Sequence, residues 1–146
     1  MKTLRTCALL FCMVFFLPFA AEAQDHLPIG TVVALKGDVS LNGGLGLEKG
    51  DRIFLFNVIR TGPDGRIVIL MIDDTEISLG ANSELEINEF VFDPYDAEEN
   101  RAHFGFVRGV FQFVSGMISK RETPQVDLDT PYGTIGIRGT IVWGGT

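Results

Sequence analysis

His26 and His103 are the only imidazoles in this 146-residue chain, and they set the limits of any acid–base chemistry near neutral pH. Nucleophilic catalysis needs a base within reach of an activated nucleophile. His26 lies near the N-terminus and His103 just ahead of a β-rich run, and no Gly-x-Ser-x-Gly elbow accompanies either. Both cysteines, Cys7 and Cys12, fall in an apolar leader. Metal chemistry has little more to draw on, since the chain holds no His-x-x-x-His pair and no helix–loop–helix calcium loop. Asp93, Asp96, Glu98 and Glu99, or Asp73 with Asp74, offer oxygen ligands of the kind calcium takes, but a solvated acidic loop accounts for them more simply. Gly43-Gly44-Leu45-Gly46 resembles a phosphate cradle only in composition, because a cradle must open a helix and this stretch leads into turn and strand. The reading therefore expects no catalytic residue, no cofactor or cofactor-binding residue and no metal ligand. A hydrolase, which needs an acidic pair in one cleft, is the least favoured class.

The most distinctive stretch is Thr130-Pro131-Tyr132-Gly133-Thr134-Ile135-Gly136-Ile137-Arg138-Gly139-Thr140. As one strand it would place Gly133, Ile135, Ile137, Gly139 and Ile141 on one face, continued by Trp143. Tyr132, Thr134, Gly136, Arg138 and Thr140 would form the other. Thr130 precedes a proline and is pushed towards an extended conformation. Arg138 is the one charge between Ile135 and Trp143. A cation among strand hydrophobics needs an internal partner, so Arg138 is expected to reach turn carbonyls or Asp73, Asp74 or Asp129. On that reading Arg138→Ala lowers thermal stability; the other reading has Arg138 present its charge to a partner or an anionic ligand.

The elements around this stretch are strands. Alternation or β-rich composition marks Thr31–Leu35, Val39–Leu41, Arg52–Ile59, Arg66–Ile72, Thr75–Leu79, Leu85–Phe92, Phe104–Val114 and Val126–Leu128. Turn signals at Asn42-Gly43-Gly44, Gly50-Asp51, Gly62-Pro63-Asp64-Gly65 and Gly80-Ala81-Asn82 separate them. Arg66–Ile72 is apolar throughout, the mark of a strand covered on both sides. Leu85, Ile87 and Val91 are expected opposite Glu86, Asn88, Phe90 and Phe92. The eight phenylalanines after the leader all read as core, and Asp93–Arg101 reads as an acidic loop. No window carries the 3.6-residue spacing of an amphipathic helix. The fold class is all-β: an irregular β-solenoid, a β-helix-like stack of hairpins, with a β-sandwich as the alternative.

Lys2 and Arg5, an apolar run from Ala8 to Ala21 and the small-x-small Ala21-Glu22-Ala23 are the three parts of a secretory signal peptide. Cleavage between Ala23 and Gln24 is expected, an uncleaved anchor being the alternative for a run this short and interrupted by Pro18. Residues 24–28 then form a flexible mature N-terminus and 29–146 one domain. Its closing Trp-Gly-Gly-Thr reads as either a last strand or a C-terminally truncated product. The formal charge is −7, and loss of Lys2, Arg5 and Glu22 leaves about −8. Such acidity repels nucleic acid and anionic lipid, so neither partner is expected, nor is stable membrane insertion after cleavage. A disulfide-free exported chain suits a bacterial periplasmic or secreted location.

Several stretches in order resemble the FecR-type domain, named after the bacterial ferric citrate regulator. Gly30-Thr31-Val32-Val33 with Gly37-Asp38-Val39 is similar to the family's opening strand pair, and Leu47-Glu48-Lys49-Gly50-Asp51-Arg52-Ile53 to its leucine-x-x-glycine-aspartate turn. Val58-Ile59-Arg60-Thr61-Gly62 with Asp64-Gly65-Arg66, Asp73-Asp74-Thr75-Glu76-Ile77-Ser78-Leu79-Gly80, and Gly109-Val110-Phe111 follow. Thr130, Pro131, Gly136, Arg138, Gly139 and Thr140 carry the last and most specific element, as structural or partner-contacting residues. The resemblance runs from about Ile29 to Val142. It implies an extracytoplasmic all-β module that senses or binds an envelope protein partner and catalyses nothing. Only about six residues precede the apolar run, too few for the founding regulator's cytoplasmic anti-sigma segment. A partner joining by strand addition near Trp143 is one expectation; an envelope glycan- or small-ligand-binding domain using Tyr95, Tyr132 or Trp143 is the alternative.

Overall fold

A computed structural model describes residues 27–139 and 141–145. The expected signal peptide, its Ala23–Gln24 cleavage point and most of the expected mature N-terminus lie outside these residues, as does Thr140. The class is all-β, as the alternation implies, with a single 3-10 turn at Ile118–Lys120.

Among the described residues thirteen strands form two sheets. In chain order they are β1 (Gly30–Lys36), β2 (Val39–Leu41), β3 (Leu45–Gly46), β4 (Arg52–Ile53), β5 (Val58–Thr61), β6 (Arg66–Met71) and β7 (Glu76–Leu79). They continue as β8 (Glu84–Val91), β9 (Arg101–Arg108), β10 (Val110–Val114), β11 (Val126–Thr130), β12 (Gly133–Gly136) and β13 (Ile141–Gly145). The first sheet runs β13-β10-β7-β6-β1-β4, the second β12-β11-β9-β8-β5-β2-β3. All pairs are antiparallel except β9 with β11. Neither sheet closes into a barrel among the described residues. The chain passes repeatedly from one sheet to the other, as a hairpin stack requires, while two separate sheets fit a sandwich.

Phenylalanines join the sheets. Phe104 of β9 meets Phe113 of β10 with centroids 5.8 Å apart, and Phe106 stacks on Phe111 at 3.7 Å. Ile53, Ile59, Ile69, Ile77, Leu85 and Leu128 are fully buried around them. Phe56 is the exception to the expected core role. It occupies a turn with φ +65° and is 68% exposed.

Four local expectations change, one of them because a single residue out of phase moves the rest of a strand to the opposite face. Phe104–Val114 is two strands in different sheets, split at Gly109. Gly109 has φ +94°, and a Cβ there would lie 2.2 Å from Ser83 Oγ, so no other residue fits the crossing. In β8 the pairing steps from Ile87↔Phe104 to Glu89↔His103, leaving Asn88 as an extra residue. Phe90 is therefore buried with Leu85 and Ile87, and Val91 is not. Arg66–Ile72 is covered on one side only, since Leu70 and Ile72 stay exposed. Thr130–Thr140 is not one strand either: β12 ends at Gly136, and Gly139 (φ +54°) lies between it and β13 in the other sheet. Ile141 and Trp143 consequently face solvent, while Val142 packs on the core.

Two buried polar joints hold the crossings. Asp73, fully buried in the β6–β7 turn, accepts hydrogen bonds from Thr75 N (3.0 Å), Thr75 Oγ1 (2.8 Å) and Ile118 N (3.3 Å). Gly116 N donates to Thr75 Oγ1, and Met117 N to the Asp73 carbonyl. In the second joint, Thr61 Oγ1 donates to the Gly80 carbonyl (2.6 Å) and accepts from Ser83 N (2.8 Å). Ser83 Oγ accepts from Val110 N (3.0 Å) and donates to the Val110 carbonyl (3.1 Å). Asp73→Ala strips buried N–H and O–H donors of their acceptor, and each orphaned group costs about 1–3 kcal/mol. A loss of about 3 kcal/mol is expected, read as a lower urea midpoint at unchanged m-value.

Candidate functional site

The outer faces of the two sheets differ in kind because their outward residues do. On the second sheet the outward positions of β8, β9 and β11 carry Glu84, Glu86, Glu89, Arg101, His103, Arg108, Asp127 and Asp129. Most of these pair internally. Glu84, 9% exposed, receives Arg60 at 2.6 Å and Arg108 at 3.2 Å. The hydrogen bond from Arg60 holds its carboxyl below the usual range against the opposing effect of burial, and Arg108 adds to it. Arg101 pairs with Glu89 and, at 3.3 Å, with Glu99.

His103 Nε2 and Asp129 Oδ2 are 2.6 Å apart, tying β9 to β11. Thr134 of β12 donates to the other oxygen of Asp129. Asp129 titrates below its ordinary value, held there first by Thr134 and then by His103. Beside this network a recess of about 270 Å³ opens over Gly105, edged by Glu86, Asn88, Asp129, Thr130 and Pro131. Sequence reasoning did not place His103 here, because a parallel pairing between strands 24 or so residues apart leaves no local signal.

The distinctive C-terminal stretch is thereby located. Thr130 ends β11 and its Oγ1 donates to the Gly133 carbonyl across the Pro131–Tyr132 turn. Gly136 ends β12, and Arg138 and Gly139 form part of the passage to β13. Ile137 is buried, but Arg138 is exposed and makes no ion pair among the described residues. Two of the three expected carboxylates are engaged elsewhere, Asp73 with Thr75 and Ile118 and Asp129 with His103 and Thr134, while Asp74 is exposed in the β6–β7 turn.

The first sheet's outer face is less charged, with Glu76, Arg66, Lys36 and Arg52 among mostly uncharged residues. Register aligns Trp143–Gln112–Ser78–Val68–Ala34 in one row and Ile141–Val114–Glu76–Leu70–Thr31 in the next. A shallow groove of about 270 Å³ lies between Trp143, Val110, Ser78 and Arg66. Trp143 is 72% exposed at the sheet's edge. The exposed tyrosines stand elsewhere, Tyr95 in the 93–100 loop and Tyr132 in the β11–β12 turn. That loop is shaped by its own contacts, with Asn100 Oδ1 accepting from Asp93 N at 2.6 Å and Nδ2 donating to the Asp93 carbonyl. No group of three or more His, Cys, Asp or Glu side chains among the described residues is placed to hold a metal. No helix among them is long and apolar enough to cross a membrane.

The chain is thus a two-sheet β protein in which most charged groups on the second sheet's outer face pair with one another. The model of the FecR protein family matches residues 57–144, more than half of the chain, and the chain belongs to that family. The match starts later than the resemblance at Ile29, leaving β1–β4 outside it. No curated protein and no solved structure matches the chain. The family is a regulatory and signalling one.

Two outcomes follow from this geometry. Arg138→Ala is now expected to change stability by no more than about 0.5 kcal/mol, measured by thermal unfolding. Glu84 has a depressed folded-state pKa, so its contribution is present above its ordinary value of 4.5 and is lost as pH falls through the lower folded value. Glu84→Gln should flatten the fall of stability below about pH 4.5, read from urea midpoints in a pH series.

Proposed function

We propose that this chain is an exported, non-enzymatic sensing or protein-interaction module of the bacterial cell envelope, periplasmic or secreted by way of its N-terminal signal peptide. Membership of a signalling family carries the reading. Physical support comes from the interior, which phenylalanines and isoleucines fill, and from polar clusters occupied in joining strands. Such a domain acts through its surface and the partner that covers it. We read the two sheets as a sandwich, with Thr130, Pro131, Gly136, Arg138 and Gly139 in the segment that carries the chain round its last corner. The alternative of an envelope glycan- or small-ligand-binding domain has less support, because Tyr95, Tyr132 and Trp143 stand on three separate elements and share no platform.

The test is crosslinking in the host. The tagged protein should be recovered with a mature N-terminus at Gln24 and a reproducible envelope protein attached, both read by mass spectrometry. Recovery without any specific envelope partner would count against the proposal.

A further inference from the structure

β9 lies inside the second sheet between β8 and β11, and each of those is paired again on its far side, with β5 and β12. Phe104 and Phe106 are buried in the core, so Gly105 between them belongs to the outer face. Its register partners are Glu86 of β8 on one side and Asp129 of β11 on the other. Two strand spacings set these carboxylate residues about 10 Å apart, across a position that has no side chain. The outcome is the recess of about 270 Å³, walled by Glu86, Asn88, Asp129, Thr130 and Pro131, with Val107 beside them. The fold does not ask for glycine here. Gly105 is not among the glycines of positive φ, and a Cβ on it would first meet Asn88 Nδ2 at 3.2 Å, the end of an exposed side chain. A glycine inside a strand weakens it, and where neither turn nor packing requires one it marks a place that another group approaches closely. The walls are unsatisfied as well. Glu86 is partly buried, yet its carboxylate makes no hydrogen bond and no ion pair among the described residues, and the Asn88 side chain makes no hydrogen bond there. Arg60 and His103, the cations beside these two carboxylates, are bonded to Glu84 and to Asp129 itself. Asp129 is held in place by His103 and Thr134, and its oxygens keep further lone pairs.

We propose that this recess binds the side chain of a lysine or arginine on a partner polypeptide. The ammonium or guanidinium head sits over Gly105 between Glu86 and Asp129, giving the unpaired carboxylate a counter-charge, and the Asn88 amide oxygen accepts a further N–H. The aliphatic stem covers Val107, which is 40% exposed, and Pro131. The net charge of −7 draws a basic segment towards the chain. An anionic group is repelled by the two carboxylates, and a neutral apolar one strips them of water with no bond in exchange. The inference deepens the proposed function, on which the existence of a partner rests. The chemistry of the recess is read in solution, so its failure and a failure to recover a partner in the host are distinguishable.

The test is a nuclear magnetic resonance titration of the isotope-labelled chain from Gln24 onwards. Nα-acetyl-arginine amide and Nα-acetyl-lysine amide, which stand for residues inside a chain, should shift the backbone amides of Glu86, Gly105 and Thr130 saturably, and less at high salt. Nα-acetyl-norleucine amide, similar in shape but uncharged, should leave them in place. Glu86→Gln keeps the shape of the wall and should weaken binding about fivefold. Gly105→Val fills the recess with a residue that strands favour, and should abolish the shifts without altering the circular dichroism. Absence of shifts with both cationic probes overturns the inference, as do equal shifts with the norleucine probe or binding unchanged in Glu86→Gln. If Gly105→Val does not fold, Glu86→Gln and the probe comparison decide. Methylammonium binding as tightly as the capped residues would assign the recess to small free amines and overturn the partner side chain.

Discussion

A chain that passes repeatedly between two sheets must satisfy its backbone polar groups at every crossing, inside a rim that water does not reach. Buried N–H and C=O groups without partners cost as much as lost hydrogen bonds, so each crossing needs a local acceptor or donor of its own. Asp73 and Thr75 supply this where β6 turns into β7 and where the chain leaves β10. Thr61 and Ser83 supply it where β5, β7, β8 and β10 come together. The aromatic core then seals the space between. Phe104 and Phe106 can meet Phe113 and Phe111 only because Gly109 lets β9 and β10 part into different sheets. Small hydroxyl and carboxylate side chains thus determine which strands face each other, and hydrophobic burial acts on an arrangement they have already limited.

That division of labour explains the character of the two surfaces. The second sheet spends its carboxylates on arginines and on His103, which makes its outer face polar but largely self-satisfied. The first sheet has few charges to satisfy. Val68, Leu70, Val110, Val114, Ile141 and Trp143 populate its outer side, and Glu76, Arg66, Lys36 and Arg52 are its charged residues. In a strongly acidic chain this is the region another polypeptide can approach without electrostatic opposition.

The all-β class was legible because period-2 alternation and glycine turn signals survive in almost every segment, and the resemblance built on them was sound. What alternation cannot report is phase across a bulge or a glycine crossing. Gly109 and Gly139 read as small residues inside continuous strands, yet both adopt positive φ and stand where the chain passes from one sheet to the other. Asn88 reads as one more polar position, yet it is the extra residue that turns Phe90 inward. Burial of Arg66–Ile72 on both sides was expected from composition, and the exposed half of it turned out to be part of the open face. The pairing of His103 with Asp129 had no sequence signal at all, because it depends on a parallel contact made after the chain has visited the other sheet.

The extent of the family match has a physical reading in these terms. Residues 57–144 take in both polar joints, the aromatic bridge between the sheets and nearly all of β13. Each demands particular residues: a hydroxyl at Thr61 and Ser83, a carboxylate at Asp73, no side chain at Gly109 and Gly144. Before residue 57 the turn at Gly37 is as strict, since a Cβ there (φ +71°) would lie 2.3 Å from the Asp64 carbonyl oxygen, but the strands themselves make looser demands. β1 needs apolar side chains at Ile29 and Val32 to cover the core, and β2 and β3 need one at Val39 and little else. Many sequences meet a demand for bulk, whereas few meet a demand for a given hydrogen-bonding atom at a given place. The match thus covers the part of the fold richest in polar geometry, while β1, which pairs with β6 along its length and with β4 at two residues, lies outside it.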